Sequence, residues 1–285
     1  MKRTALIIIA LSLCCAAMAQ SRVDSIRMRL LDPSDRTVLV AAHRGEWKNA
    51  PQNSLQSILD AAEEGVDIAE IDVRRTRDGV LVLMHNPTLS GTTTGWGFVR
   101  LVSLRKLRTF RLKDSEGRVT DMQVPTLEEA LLAAKGRIML NLDKAFDYFP
   151  QIMQLARKTG TLDHIIVKSS KSPEDVLRIM GADRDSVIFM PIFHLDKPEE
   201  TKLMQYSLAA FSPCAVEVNF RDSGLITPYL IKTSLEGKTR IWYNDLGHHA
   251  AGFDAGQLVE SFGATIIQSD SCAELIEMLK EKGYR

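Results

Sequence analysis

The sequence is poor in the residues that would announce a metal-thiolate or disulfide protein. It holds four cysteines in 285 residues, and two of them, Cys14 and Cys15, fall in the first apolar run. The remaining pair, Cys214 and Cys272, has no zinc-finger spacing and leaves open either one disulfide or two buried thiols. Net charge is also missing, with 36 basic residues against 36 acidic ones. No basic stripe suggests a nucleic-acid surface, and no polybasic segment suggests attraction to anionic lipid. After the first twenty residues there is no second apolar run of spanning length, so stable membrane insertion is not expected. A glycine-rich phosphate turn is absent after the first strand candidate, which argues against a doubly wound nucleotide-binding sheet.

The start of the chain is distinctive. Met1-Lys2-Arg3 precedes an apolar stretch from Ala5 to Met18, closed by Ala17-Met18-Ala19. A charged n-region, a short h-region and an A-x-A site make residues 1–19 a candidate secretory signal peptide. Leu13 and Cys14 precede the two cysteines there, so a lipid-attachment site, which needs a small residue, is not indicated. Cleavage after Ala19 and export to the periplasm or beyond are expected. Without Lys2 and Arg3 the charge is 34 basic against 36 acidic.

The rest, residues 20–285, reads as one α/β domain. Short, apolar, often β-branched runs at 38–43, 68–73, 137–143, 164–168, 187–192, 214–220, 240–244 and 264–269 alternate with helical patterns. Such runs suit strands buried on both faces of a parallel sheet. The helix between the first two runs begins at Ser54 and stops at Gly65. Others begin at Thr126 (a capping box with Glu129), Ser172 and Asp254, and stop at Gly136, Gly181 and Gly263. One run, 80–85, follows its predecessor after six residues, too few for a parallel crossover. Asp78-Gly79 predicts a two-residue hairpin there. Eight repeating units with a hairpin after the second strand predict a (β/α)8 TIM barrel.

Barrel enzymes carry their sites at the C-terminal strand ends. Polar residues collect there: His43 after the first strand, Glu70 and Asp72 on the second, Asp143 on the third, Lys168 on the fourth and Glu217 on the sixth. Glu70 and Asp72 are two residues apart and share a face. Their mutual repulsion is relieved by a cation, and an all-oxygen set favours Ca²⁺ or Mg²⁺ over zinc. His43 and His85 bracket this pair, an arrangement suited to acid/base cleavage of a phosphate ester. Arg44 offers a planar fork that matches two phosphate oxygens. Structural explanations compete: a buried His43 beside a surface arginine, ion pairs from Glu70 and Asp72 to Arg74 or Arg75, and Asp143 paired with Lys144. His248-His249 read as a solvated loop, and His164 and His194 as structural. Trp242 and Tyr243 read as core or mouth, and Trp96 as a possible substrate contact.

The ordered motifs His43-Arg44-Gly45, Pro51-Gln52-Asn53-Ser54, Glu70-x-Asp72-Val73, Thr76-x-Asp78-Gly79 and His85-Asn86-Pro87-Thr88-Leu89 resemble the glycerophosphodiester phosphodiesterase family. Thr93-Thr94-Gly95-x-Gly97, Pro125-Thr126-Leu127-Glu128-Glu129 and Trp242-Tyr243-Asn244 extend the resemblance over most of the chain. It implies a barrel enzyme that hydrolyses small glycerophosphodiesters to glycerol 3-phosphate and an alcohol. By the same resemblance His43 and His85 form the acid/base pair, Arg44 binds phosphate, and Glu70, Asp72 and Asp143 hold one divalent cation. The sequence departs from the family pattern at three places. Gln52 stands for glutamate, Asn86 for aspartate after the second histidine, and Asp143 for the third-strand glutamate. Lys168 is a candidate compensating charge at the phosphate. Two rival expectations are a phospholipase or phosphoinositide-type lyase on a related barrel, and a non-catalytic module that binds a phosphorylated ligand.

Overall fold

The structure, a computed structural model, describes residues 21–195, 198–220, 228–246 and 253–285. The expected signal peptide and the His248-His249 pair lie outside the described residues. The strands are β1 (Leu39–Ala42), β2 (Ile68–Arg75), β3 (Leu81–Leu83), β4 (Met139–Asp143), β5 (Ile165–Ser169), β6 (Ile188–His194), β7 (Ala215–Asn219), β8 (Arg240–Asp245) and β9 (Ile266–Ser269). All but β3 run parallel, and β1 bonds to both β2 and β9, so the sheet closes as a (β/α)8 barrel.

The helices are α1 (Arg22–Leu31), α2 (Leu55–Glu63), α3 (Leu104–Leu107), α4 (Leu127–Ala134), α5 (Phe149–Thr159), α6 (Pro173–Met180), α7 (Pro198–Phe211), α8 (Pro228–Leu235), α9 (Ala255–Phe262) and α10 (Cys272–Glu281). Their ends follow local chemistry. Ser54, Thr126 and Asp254 each close a reciprocal capping box, and Ser172 accepts from the Asp175 N–H. Gly65, Gly136 and Gly263 take positive φ just past the helices they end.

The pleat divides the barrel. Leu39, Ile68, Met139, Ile166, Ile188, Trp242 and Ile266 point inward near the strand beginnings, where Val23, Ile26 and Leu30 of α1 pack against them. That end is therefore plugged with hydrocarbon. Alternate residues such as Val40, Ala69, Leu140 and Val167 face outward into the core shared with the helices. Tyr243 lies in this outer core and Trp242 in the inner one, both fully buried.

The reversal after β2 is longer than Asp78-Gly79 suggests. Arg75 pairs with Leu81, so the loop is five residues, 76–80, rather than two. Thr76 donates its hydroxyl to Asp78 at 2.7 Å, and the Thr76 N–H reaches the Val80 carbonyl at 2.9 Å. These bonds satisfy the loop internally and draw Asp78 into it. The excursion from β3 to α4 then builds its own small core from Val82, Met84, Leu89, Val99, Leu107, Leu112 and Val124. None of the described helices is long and apolar enough to cross a membrane. Cys214 and Cys272 are both free thiols, and burial pushes the first up to about 11.

Arg240 ties the plugged end together. Its side chain is fully buried and donates to the carbonyls of Asp35 (2.7 Å), Thr37 (2.6 Å) and Thr265 (3.0 Å). Removing a charged donor strands buried acceptors, so Arg240→Leu is predicted to cost about 3 kcal/mol of unfolding free energy. A urea midpoint indistinguishable from wild type would refute this.

Candidate active site

The same pleat parity that buries Ile68 carries Glu70 and Asp72 inward two and four residues later. It likewise sets Asp143 above Met139, Lys168 above Ile166, Glu217 and Asn219 above Ala215, and Asn244 above Trp242. These side chains and both expected histidines, His43 and His85, line one open chamber of about 530 Å³ at the C-terminal strand ends. Arg44 is on its wall as well. The seven expected site residues are thus brought together.

Carboxylate oxygens of Glu70, Asp72 and Asp143 lie within 4.8 Å of one another. In register, Asp72 faces Asp143 and Glu70 faces Asn141 across the β2–β4 pair. Glu70 and Asp72 are almost wholly buried. Burial and the Asp72 charge push the Glu70 carboxyl well above the usual range, against the pull of Lys168. Burial acts the same way on Asp143, but Lys168 and Lys144 outweigh it and hold that carboxyl below its ordinary value. The Asn141 side-chain amide is buried with no protein partner among the described residues. A crowded oxygen-only set, one carboxyl driven toward protonation and an unpartnered amide beside it fit a hard divalent cation.

The neighbours of these acids occupy unusual backbone conformations. Arg44, Asn53 and Lys144 have φ of 60°, 56° and 55°, a region that costs a non-glycine residue about 1–3 kcal/mol. Each contacts the acidic cluster. The Arg44 N–H donates to Glu70 at 3.0 Å. Asn53 donates from its amide to Asp72 and accepts the Asp72 N–H, both at 2.9 Å. Lys144 reaches back to Asp72 and lies 2.9 Å from Asp143. The expected pairing of Asp143 with Lys144 is therefore present, together with the three-acid cluster rather than instead of it. Pairing of Glu70 or Asp72 with Arg74 or Arg75 is not seen: Arg74 donates to the His85 carbonyl, and Arg75 sits over the Tyr148 ring.

The two histidines have different partners. His43 Nδ1 is 2.8 Å from the Asp270 carboxylate, which also accepts from Trp47 Nε1 at 3.3 Å. His85 Nδ1 is 2.8 Å from the Asn86 amide oxygen. Burial lowers His85 below the ordinary histidine value, offset in part by Asp72. Arg44 Nη1 donates to Gln52 at 2.6 Å, so the glutamine keeps the acceptor without the charge. Lys168 is buried with its ammonium 2.9 Å from Glu217 and 3.5 Å from Asp143. Burial works against its charge, yet Glu217, Asp143 and Glu70 together raise it above the ordinary lysine value. Glu217 also accepts from Asn219 and Asn244, each at 3.0 Å.

Two expectations need correction. His194 is not structural but lines the chamber, because β6 runs two residues beyond the expected end at 192 and carries it to the rim. Trp96 does not line the chamber; it is 83% exposed on the excursion after β3. His164 is structural, buried and accepting the Gly136 N–H at 2.8 Å. Sequence reasoning missed Asp270, Asn53 and Asn244. Asp270 directly follows β9, so the strand-end rule that selected His43 could have found it.

Gly45 lets Arg44 and Glu46 wrap onto the first turn of α2. Its φ is 78°, and a Cβ there would stand 2.8 Å from the Ser57 carbonyl carbon. Gly45→Ala is predicted to destabilise the fold by about 2 kcal/mol and to displace Arg44; an unchanged denaturation midpoint would contradict this. For His85, NMR titration of the metal-free protein should give a midpoint below about 6.5. Folded His85 binds a proton less readily than the unfolded chain, so it subtracts stability only as pH falls below that value. A midpoint above it would overturn the burial argument.

Residues 43–211 match the sequence profile of the glycerophosphoryl diester phosphodiesterase family. The chain is 31% identical over 170 residues to glycerophosphodiester phosphodiesterase 1 of Homo sapiens, covering 53% of this chain and 50% of that protein. It thus spans about half the length of the curated relatives it matches. A glycerophosphoryl diester phosphodiesterase from Parabacteroides distasonis superposes with a TM-score of 0.76 at 24% identity, covering 91% of this chain and 92% of that one. An Oleispira antarctica phosphodiesterase, solved in complex with the product sn-glycerol-3-phosphate, superposes with a TM-score of 0.66 at 18% identity, covering 87% and 99%. These two likenesses show a shared fold, while the profile, which takes in more than half of the sequence, shows that the chain belongs to the glycerophosphoryl diester phosphodiesterase family.

Proposed function

We propose that the protein hydrolyses small glycerophosphodiesters to glycerol 3-phosphate and an alcohol. The observation that carries this reading is the meeting of His43, His85, Arg44 and the Glu70–Asp72–Asp143 cluster in one chamber. Family membership supports it. Glu70, Asp72 and Asp143 would hold one divalent cation, Ca²⁺ or Mg²⁺ by their oxygen-only chemistry. When bound, that ion supplies positive charge against the phosphate oxygens as negative charge develops.

The residues of the chain divide the remaining work. Arg44 and Lys168 present cations to the phosphate. With Nδ1 of each histidine engaged by a side chain, Nε2 is the nitrogen left for proton transfer. Asp270 sets a negative charge against one imidazole, and Asn86 a neutral amide against the other. We assign the Asp270-paired His43 to the proton delivered to the leaving alkoxide, and His85, the ring whose charged form burial disfavours, to accepting the proton of the nucleophile. We also place the protein outside the cytoplasm, on the signal-like pattern of residues 1–19.

His43→Ala and His85→Ala are each expected to lower kcat by about 10²–10⁴-fold with thermal unfolding unchanged. Chelation should abolish turnover, and Ca²⁺ or Mg²⁺ should restore it. Wild-type activity in either variant, or full activity in excess chelator, would sink the reading. Phosphorus NMR of the product separates it from a lyase, which would leave a cyclic phosphate.

A further inference from the structure

Beside the active chamber lies a second cavity of about 370 Å³, and the two share Asp143, Lys144, Lys168 and Ile192 as lining. Their charges are opposed. The chamber carries five carboxylates, Glu70, Asp72, Asp143, Glu217 and Asp270, against three cations, Arg44, Lys144 and Lys168. The side cavity carries four cations, Arg74, Lys144, Lys168 and Lys171, against two carboxylates, Asp143 and Asp147. An excess of negative charge in the first suits a metal ion; an excess of positive charge in the second suits an anion.

The far wall of the side cavity strengthens the contrast. Arg74 makes no ion pair among the described residues; its Nε and Nη2 both donate to the His85 carbonyl, at 3.2 and 2.7 Å. Its charge is therefore not cancelled. Lys171 is exposed, just beyond β5, and its ammonium stands 3.2 Å from Asp147. An exposed pair of this kind is weak enough for a ligand oxygen to compete with it. Ser169 and Ser170 belong to the same wall, and the Ser169 hydroxyl oxygen accepts from the Lys171 N–H at 3.1 Å.

From this geometry we infer that the side cavity is a headgroup subsite for an anion, so that the preferred diester carries a second negative group, a phosphate monoester or a carboxylate, on the alcohol it releases. The inference rests on the phosphodiesterase reading above and narrows its substrate class. Choline, a cation, is disfavoured by the same charges, and an uncharged glycerol headgroup is accommodated without gain.

The test is a headgroup panel with divalent metal present: glycerophosphocholine, glycerophosphoglycerol, glycerophosphoinositol phosphate and glycerophosphoglycerate. The last two separate a phosphate from a carboxylate as the anion recognised. The expected result is a kcat/KM at least about tenfold higher for an anionic headgroup than for glycerol, on the scale of one charge-assisted contact. Lys171→Met should shrink that ratio severalfold and Asp147→Asn should enlarge it, with glycerophosphoglycerol turnover unchanged in both. Equal turnover across the panel, a preference for choline, or loss in Lys171→Met that is the same for every headgroup would overturn the subsite. If no diester turned over, the phosphodiesterase reading would fail by itself. Calorimetric binding of inositol phosphate to wild type and Lys171→Met would then decide the anion site, weaker binding in the variant supporting it and no binding to either refuting it.

Discussion

The costliest feature of this protein is the burial of Glu70 and Asp72 side by side at the end of a barrel strand. Two carboxylates withdrawn from water repel each other and lose hydration, and neither is stable there without compensation. Much of the surrounding structure supplies it. Arg44, Asn53 and Lys144 each take a left-handed backbone conformation and each contacts one of the two acids. Strain of this kind persists only where neighbouring contacts over-determine it. Here Gly45 packs against the first turn of α2, the Asn53 N–H bonds to the Arg44 carbonyl at 2.9 Å, and Lys168 is locked between Glu217 and Asp143. The stable part of the molecule, an apolar barrel plugged by α1, holds a strained and over-charged rim.

Pleat parity is what allows one barrel to do both. Along β2, Ile68 belongs to the plug and Glu70 and Asp72 to the site, on the same face. Along β4 the series is Met139, Asn141 and Asp143, and along β9 it is Ile266 and Gln268, leading to Asp270 just past the strand. Polarity rises layer by layer along the barrel axis, so hydrophobic burial fixes the register and register fixes the chemistry. A one-residue slip in any strand would send its functional side chain into the outer helix layer.

Much of this was legible in the sequence because it depends on period and punctuation. Eight apolar runs, separated by capped helices, specify the barrel, and the i, i+2 spacing of Glu70 and Asp72 specifies a shared face. What was not legible depends on reach. Asp270 bonds His43 across 227 residues of sequence, a contact that exists only because β1 and β9 are neighbours in the closed sheet. Asn53 reads as part of a motif preceding a helix, but its grip on Asp72 requires a positive φ that no spacing rule reveals. His194 was misjudged because two more residues of β6 carry it to the rim, and Trp96 because a glycine-flanked aromatic on a long excursion has no local signal for the direction it faces.

The departures from the family pattern acquire a physical meaning in this setting. Gln52 still accepts from Arg44, and Asn86 still meets His85, so both keep the hydrogen-bond geometry an acid would give. Each removes one negative charge close to the cations of the rim. Arg44 meets a neutral acceptor at Gln52, and His85 a neutral partner whose hydrogen bond favours the protonated ring less than a carboxylate would. The shorter Asp143 remains in register with Asp72, and Lys144 bends back to bridge the two carboxylates, so the three-acid cluster is kept. These substitutions keep the hydrogen-bond geometry of the site while removing negative charge beside Arg44 and His85.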